Sequence, residues 1–181
     1  MTRFVAFLRA INVGGHVVKM DLLRRVFADS LELANVETFI ASGNVLFDAT
    51  SRNTAALEKK IAAQLEKALG YEVATFIRSD AELIRIAEYQ PFKPKDVQAA
   101  EGIYVGFLAG ELAPSEIRMV KSFRSDVDEL EVNGREIYWL CRIRSTESDF
   151  SLAKLEKTLR IQATFRNITT VRKIAALLSA E

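Results

Sequence analysis

Cysteine and histidine each occur once, as Cys141 and His16, and proline occurs only three times in 181 residues. One thiol cannot close an internal disulfide, and one Cys with one His cannot make a zinc set, so neither staple holds this fold. No sign of charge dominates. The 25 Lys and Arg nearly balance the 24 Asp and Glu, a net charge of +1, and nothing global draws the chain to nucleic acid or an anionic membrane. Long apolar runs are missing too. Phe4–Leu8 is far too short to span a bilayer, is bounded by Arg3 and Arg9, and lacks a signal-peptide cleavage region. These absences set the expectations: a soluble, cytoplasmic chain, no membrane, no cofactor, no metal, and nucleic acid disfavoured as a partner.

What is present suits a core. Hydrophobic residues make up 49% and charged residues 27%, so disorder is not expected. Phe4–Leu8 reads as a central strand buried on both faces. A helix is expected from Met20, with Leu22, Leu23, Val26 and Phe27 at helical spacing. Strands at 36–40 and 45–47 flank a Ser42-Gly43-Asn44 turn. Asn53 can cap a helix whose stripe is Leu57, Ile61, Leu65 and Leu69, closed by Gly70. A strand at 72–77 and a short helix from Asp80 follow.

Pro91 and Pro94 then interrupt the pattern and predict an extended connector. After it the order repeats: a strand at 103–108, a helix opened by Pro114, and a hairpin at Asn133-Gly134, where a type I′ turn is expected. Next come a helix through Leu152, Leu155 and Leu159, a strand at 161–165, and a last helix through Val171, Ile174 and Leu178. Letters match as well: Phe7-Leu8 with Phe107-Leu108, and Ala74-Thr75-Phe76 before Arg78 with Ala163-Thr164-Phe165 before Arg166. The reading is an α/β (α+β) chain of two tandem ferredoxin-like βαββαβ units, each with an extra C-terminal helix. The expected boundaries are residues 1–88, a Pro-rich linker at 89–97, and residues 98–181.

The halves differ in one place. Leu8 and Gly43 are 35 positions apart, Leu108 and Gly134 only 26. Most of the excess is the loop from Asn12 to Lys19, and loop length without a folding need is where function tends to lie. Gly14 and Gly15 let successive amides turn one way, a helix start follows, and Arg9 and Lys19 flank the loop. That chemistry suits a small anion. The spacing is neither a P-loop nor a dinucleotide fingerprint, and a plain turn with Asn12 satisfying backbone groups is the competing account.

A second polar set is Ser42, Asn44, Arg78, Arg166 and Asn167. Arg78 and Arg166 fall at equivalent places, expected just after the last strand of each half. These residues suit a phosphate or carboxylate, or serve the hairpin and an ion pair. With strands one and three taken as parallel, the glycine loop and Ser42 with Arg78 are expected at opposite rims of one unit.

Other residues carry weaker signals. His16 reads as a solvated loop histidine, and Cys141 as a buried, inert thiol. Ile103–Leu108 looks like the first-strand motif of RNA-recognition modules. The matching aromatic motif is missing from 135–140, and Tyr138 and Trp139 are expected to pack between the halves.

The stretch Phe7-Leu8-Arg9-Ala10-Ile11-Asn12-Val13-Gly14-Gly15, then Val18-Lys19-Met20 and Leu23-Arg24, resembles the opening of a bacterial family, domain of unknown function 1697. So do Thr38–Phe47, Pro91-Phe92 and Arg166-Asn167-Ile168-Thr169-Thr170-Val171. At Ile168 the family often has tryptophan. The resemblance implies a bacterial cytosolic protein of duplicated α/β units and implies no activity. It marks Arg9, Asn12, Gly14, Gly15, Lys19, Ser42, Asn44, Arg166 and Asn167 as shared positions.

Function is therefore unknown from the sequence, and whether the chain is an enzyme is uncertain, with no recognisable catalytic constellation. The leading expectation is a binding module for a small anionic ligand, a nucleotide or phosphorylated metabolite, at Asn12–Lys19. One alternative is a protein-interaction or self-association module, a homodimer included, with Tyr138 and Trp139 as anchors. Another is a metal-dependent phosphoryl or nucleotide enzyme, for which Asp21 and Asp48 are the carboxylate candidates.

Overall fold

A computed structural model describes residues 1–180. The chain is α+β, with two four-stranded antiparallel sheets and seven α-helices among the described residues. The first sheet holds β1 (Thr2–Leu8), β2 (Ala34–Thr38), β3 (Asn44–Ala49) and β4 (Thr75–Ser79) in the order β2-β3-β1-β4. The second holds β5 (Gly102–Phe107), β6 (Asp128–Asn133), β7 (Glu136–Cys141) and β8 (Thr164–Asn167) in the order β6-β7-β5-β8. The helices are α1 (Met20–Arg25), continued by a π-helical turn at Val26–Ser30, α2 (Thr54–Leu69), α3 (Asp80–Glu88), α4 (Pro94–Gln98), α5 (Pro114–Ser122), α6 (Leu152–Leu159) and α7 (Ile168–Ser179).

Two compact units result. One comprises Met1–Ile84 with the chain from Ala176 onward, the other Arg85–Ala175, so the division falls inside α3 and inside α7. Among the described residues no helix is long and apolar enough to cross a membrane.

In the first unit, alternate residues of β1 set the core. Phe4, Ala6 and Leu8 share one face of the sheet with Val45 and Phe47 of β3, and Leu23, Phe27, Ile61 and Leu65 complete the same cluster. Val5 and Phe7, on the opposite face, are also fully buried, as the unbroken apolar run requires. Helix α2 follows its sequence cues. Asn53 Oδ1 accepts from the Ala56 amide at 3.0 Å, and Leu57, Ile61 and Leu65 are buried. Each such side chain stabilises the fold by roughly 2 kcal/mol. Gly70 ends the helix at φ +81°, its amide donating to Glu66 O at 2.8 Å.

In the second unit the core face carries Tyr104, Ile137, Trp139 and Cys141 with Val120, Leu155 and Phe165. Trp139 stacks on Tyr104 at 4.8 Å and meets Phe150 at 4.8 Å, while its Nε1 donates to Asp128 at 2.8 Å. Gly106 has a packing reason, since a Cβ there would lie 2.5 Å from the Phe165 ring. The glycine of the apparent RNA-module motif is thus a seat for a cross-strand aromatic.

Several sequence expectations change. β1 pairs antiparallel with β3, Phe7 facing Asn44, and antiparallel with β4, Leu8 facing Thr75. The end of β1 therefore sits beside the starts of β3 and β4, so the glycine loop and the Ser42–Asn44 turn share a rim. A helical crossover sets strands one and two parallel and the hairpin then reverses strand three, so β3 runs antiparallel to β1. Arg78 and Arg166 lie within β4 and β8 rather than after them, opposite Val5 and Val105. By that register Thr164 matches Phe76, since both face a strand-one phenylalanine, Phe107 and Phe7. The letter match Thr75-Phe76 with Thr164-Phe165 is thus one residue out of step. The second hairpin turns on Gly134-Arg135, with Asn133 paired to Glu136 and a positive φ only at Gly134, as in a II′ turn rather than I′. The Pro-rich connector is not extended throughout, because Pro94 begins α4 at N1. Trp139 and Tyr138 are buried on the interior strand β7, Trp139 in its own unit's core. They are not exposed anchors.

Candidate functional site

The rim where β1 ends gathers three segments of the first unit. The Leu8 amide donates to Gly43 O at 2.8 Å, and the Arg9 amide to Ala74 O at 2.9 Å. Asn12 spans the gap with one side chain: Nδ2 donates to Ala41 O at 2.7 Å, and Oδ1 accepts from the Val18 amide at 2.6 Å. The amide thereby frames the loop between them. Gly43, at φ +80°, leaves no room for a Cβ, which would lie 2.9 Å from Ile11.

The backbone inside this frame is unusual. φ is positive at Ala10 (61°), Asn12 (55°) and Gly14 (60°), and not at Ile11 or Val13, so its sign alternates over five residues; Gly15 follows at 86°. Alternation of this kind turns successive N–H groups toward one concavity. Asn12, Val13, Gly14 and Gly15 are exposed, and their amides donate to no protein acceptor among the described residues. The His16 amide does, to Val13 O at 3.1 Å. Nothing lies within 4 Å of where a Cβ would stand on Gly14 or Gly15, so these glycines serve conformation rather than packing. Lys19 is exposed and makes no side-chain bond among the described residues, whereas Arg9 is half-buried and engaged.

Tyr71, which sequence reasoning missed, closes one side. Its ring stacks on His16 at 4.0 Å, and its hydroxyl donates to Ala10 O at 3.3 Å. Partial burial raises the phenol above its ordinary value. The only advance signal was its place after the helix-ending Gly70. Apolar residues also stand open here: Val13 is 56% exposed, Val17 89% and Ile40 53%. Ile40 holds φ +51°, a genuine outlier for a β-branched residue.

The second polar set divides. Ser42 Oγ accepts from Asn44 Nδ2 at 2.9 Å, and the same nitrogen donates to Phe39 O at 2.9 Å, with Asn44 fully buried beneath the rim. Arg78 is 1% exposed and donates to Ile77 O at 2.8 Å. Arg166 donates to Thr164 Oγ1 at 2.8 Å and Phe165 O at 3.0 Å, and burial lowers its guanidinium to about 10. Asn167 is exposed and its Oδ1 accepts from the Thr169 amide at 2.8 Å, at the start of α7. The rim thus ties Asn12 to the turn that holds Ser42 and Asn44, while Gly14 and Gly15 stand open in the loop that Asn12 frames. Arg78 lies further along β4, and Arg166 and Asn167 belong to the second unit.

The carboxylates of the enzyme alternative are engaged elsewhere. Asp48 lies toward the opposite end of β1, paired with Arg3 at 3.4 Å and accepting from Asn35 at 2.6 Å. Asp21 is taken by Arg24. No group of three or more metal-ligating side chains occurs among the described residues.

A family model described as a protein of unknown function (DUF1697) matches residues 1–138. The chain belongs to this family. Among solved structures, this DUF1697 chain is similar to the conserved bacterial protein SP0830 from Streptococcus pneumoniae, at 24% identity over 99% of both chains with a TM-score of 0.78. That likeness speaks to the fold alone. No curated protein matches the chain.

Proposed function

We propose that this DUF1697 chain is a binding module for a small anionic ligand, a nucleotide or phosphorylated metabolite, held at the Asn12–Lys19 loop. The supporting observation is the run of four exposed amides, Asn12 to Gly15, without a protein acceptor, on backbone of alternating φ sign. Backbone of this kind can gather amides around an anion, and the exposed Lys19 adds a positive charge. In this reading Asn12 frames the loop, Arg9, Ser42 and Asn44 hold the rim, Arg78 supports β4 of the same sheet, and Arg166 and Asn167 brace β8 and the start of α7 in the second unit. The reading keeps each unit as a ferredoxin-like βαββαβ unit with a trailing helix, which the strand order supports. It also keeps the boundaries near 88 and 98, and a cytoplasmic setting.

Thermal-shift titration with inorganic phosphate and a panel of phosphate-bearing metabolites tests this. A ligand at about a hundred times its Kd adds about 2.7 kcal/mol, a rise of roughly 5–10 °C for a chain of this size. Lys19→Ala and Gly15→Val abolish the rise. If no phosphate-bearing compound stabilises the protein, the reading fails. The exposed Val13, Val17 and Ile40 favour a second reading, a protein partner or second copy on the same rim. Concentration-dependent sedimentation that Val17→Lys removes distinguishes it.

A further inference from the structure

The second unit contains a cavity of about 260 Å³ that belongs to neither polar set. Its walls include Pro91, Phe92, Val97, Ile103 and Tyr138, with Ile168 and Arg172 presented from α7. The placement follows from local structure. Ile168 and Arg172 are four residues apart on one helix face. Ile103 and Tyr138 share a sheet face, because Tyr138 pairs with Val105 two residues on. Tyr138 is fixed by its hydroxyl donating to Ile86 O at 3.2 Å and by the Tyr89 ring at 5.2 Å. The prolines and the start of α4 hold the remaining wall in place.

Two features point to a ligand. Tyr89 and Val97, 40% and 42% exposed, are large apolar side chains left open, and both line this one cavity. The charge is also one-sided. The lining contains Arg172 and no carboxylate. Arg172 Nε reaches Ala87 O only at 3.5 Å, and its terminal nitrogens have no acceptor among the described residues. A guanidinium with a free fork at the edge of an apolar chamber is complementary to a carboxylate on an apolar body. The volume sets the size: a 150 Å³ apolar cavity accommodates benzene, so this one takes about ten non-hydrogen atoms.

We propose that this cavity binds a small aromatic or branched aliphatic carboxylate, its apolar body against Phe92, Ile103 and Tyr138 and its carboxylate on the Arg172 fork. The site is independent of the glycine loop. Calorimetry with phenylacetate as probe, and its neutral isostere phenylacetamide as control, tests it on the full chain. Phenylacetate binds saturably and at least about tenfold more tightly than the amide. Arg172→Gln, an exposed substitution, removes that preference and leaves acid and amide binding with similar affinity. Val97→Trp fills the chamber and weakens both, and Lys19→Ala alters neither. Equal affinity for acid and amide overturns the proposal, as does an acid preference that survives Arg172→Gln. So does the absence of saturable binding up to about 10 mM, the weakest Kd expected of a ten-atom ligand. Competition by inorganic phosphate alone would mark a bare anion site and also overturn it.

Discussion

Asn12→Ala tests whether one side chain holds the rim together. Asn12 Nδ2 donates to Ala41 O at 2.7 Å and Oδ1 accepts from the Val18 amide at 2.6 Å, tying the β2–β3 turn to the approach to α1. One bond is exposed and the other part-buried, and each contributes about 0.5–1 kcal/mol net. Alanine at φ +55° adds about 1 kcal/mol of backbone cost. The expected loss is about 2–3 kcal/mol, a fall in Tm of roughly 4–12 °C. Asn12→Gly removes both bonds without the backbone cost and loses about 1 kcal/mol less, so the pair of variants separates the two causes. Urea denaturation gives the free energies, and hydrogen exchange at Val18 shows whether its amide has lost its acceptor. If Asn12→Ala stays within about 0.5 kcal/mol of wild type and Val18 keeps its protection, the side chain is not the frame described above.

Two further outcomes follow from the same geometry. Gly106→Ala places a methyl 2.5 Å from the Phe165 ring and is expected to cost about 1–3 kcal/mol; adding Phe165→Leu recovers part of it in denaturant melts, which a strand-propensity effect would not show. Arg166 has a guanidinium lowered to about 10 by burial, so above that pH the folded chain holds fewer protons than the unfolded one, and stability rises with pH from about 10 toward the unfolded value. Below that window both states are protonated and the term is flat. Relative to Arg166→Met, wild type should gain about 1 kcal/mol between about pH 9 and 11, and a loss over that range would refute the sign.

Pattern alone carried much of the fold. The unbroken run Phe4–Leu8 announced a strand buried on both faces, and the four-residue stripe of α2 with Asn53 and Gly70 at its ends matched the observed helix closely. These signals are local, because capping, φ preference and apolar period depend on neighbours a few residues away. The site was legible only in part. The glycine loop stood out through its extra length in one half, but Tyr71, which stacks on His16, is far away in sequence and belongs to no motif.

What the sequence by itself determined is the element order, its repetition, and a glycine pair at 14 and 15 that lets the loop turn. What only the tertiary structure decided is which ends meet. Strand direction put the Ser42–Asn44 turn beside the glycine loop, and a one-residue register turned Thr164, not Phe165, to match Phe76. It also decided that Arg78 and Arg166 are buried while Arg172 opens onto a cavity. The physical reason is that strand neighbours and exact register are settled by contacts between segments distant along the chain, which the local pattern of each strand does not report.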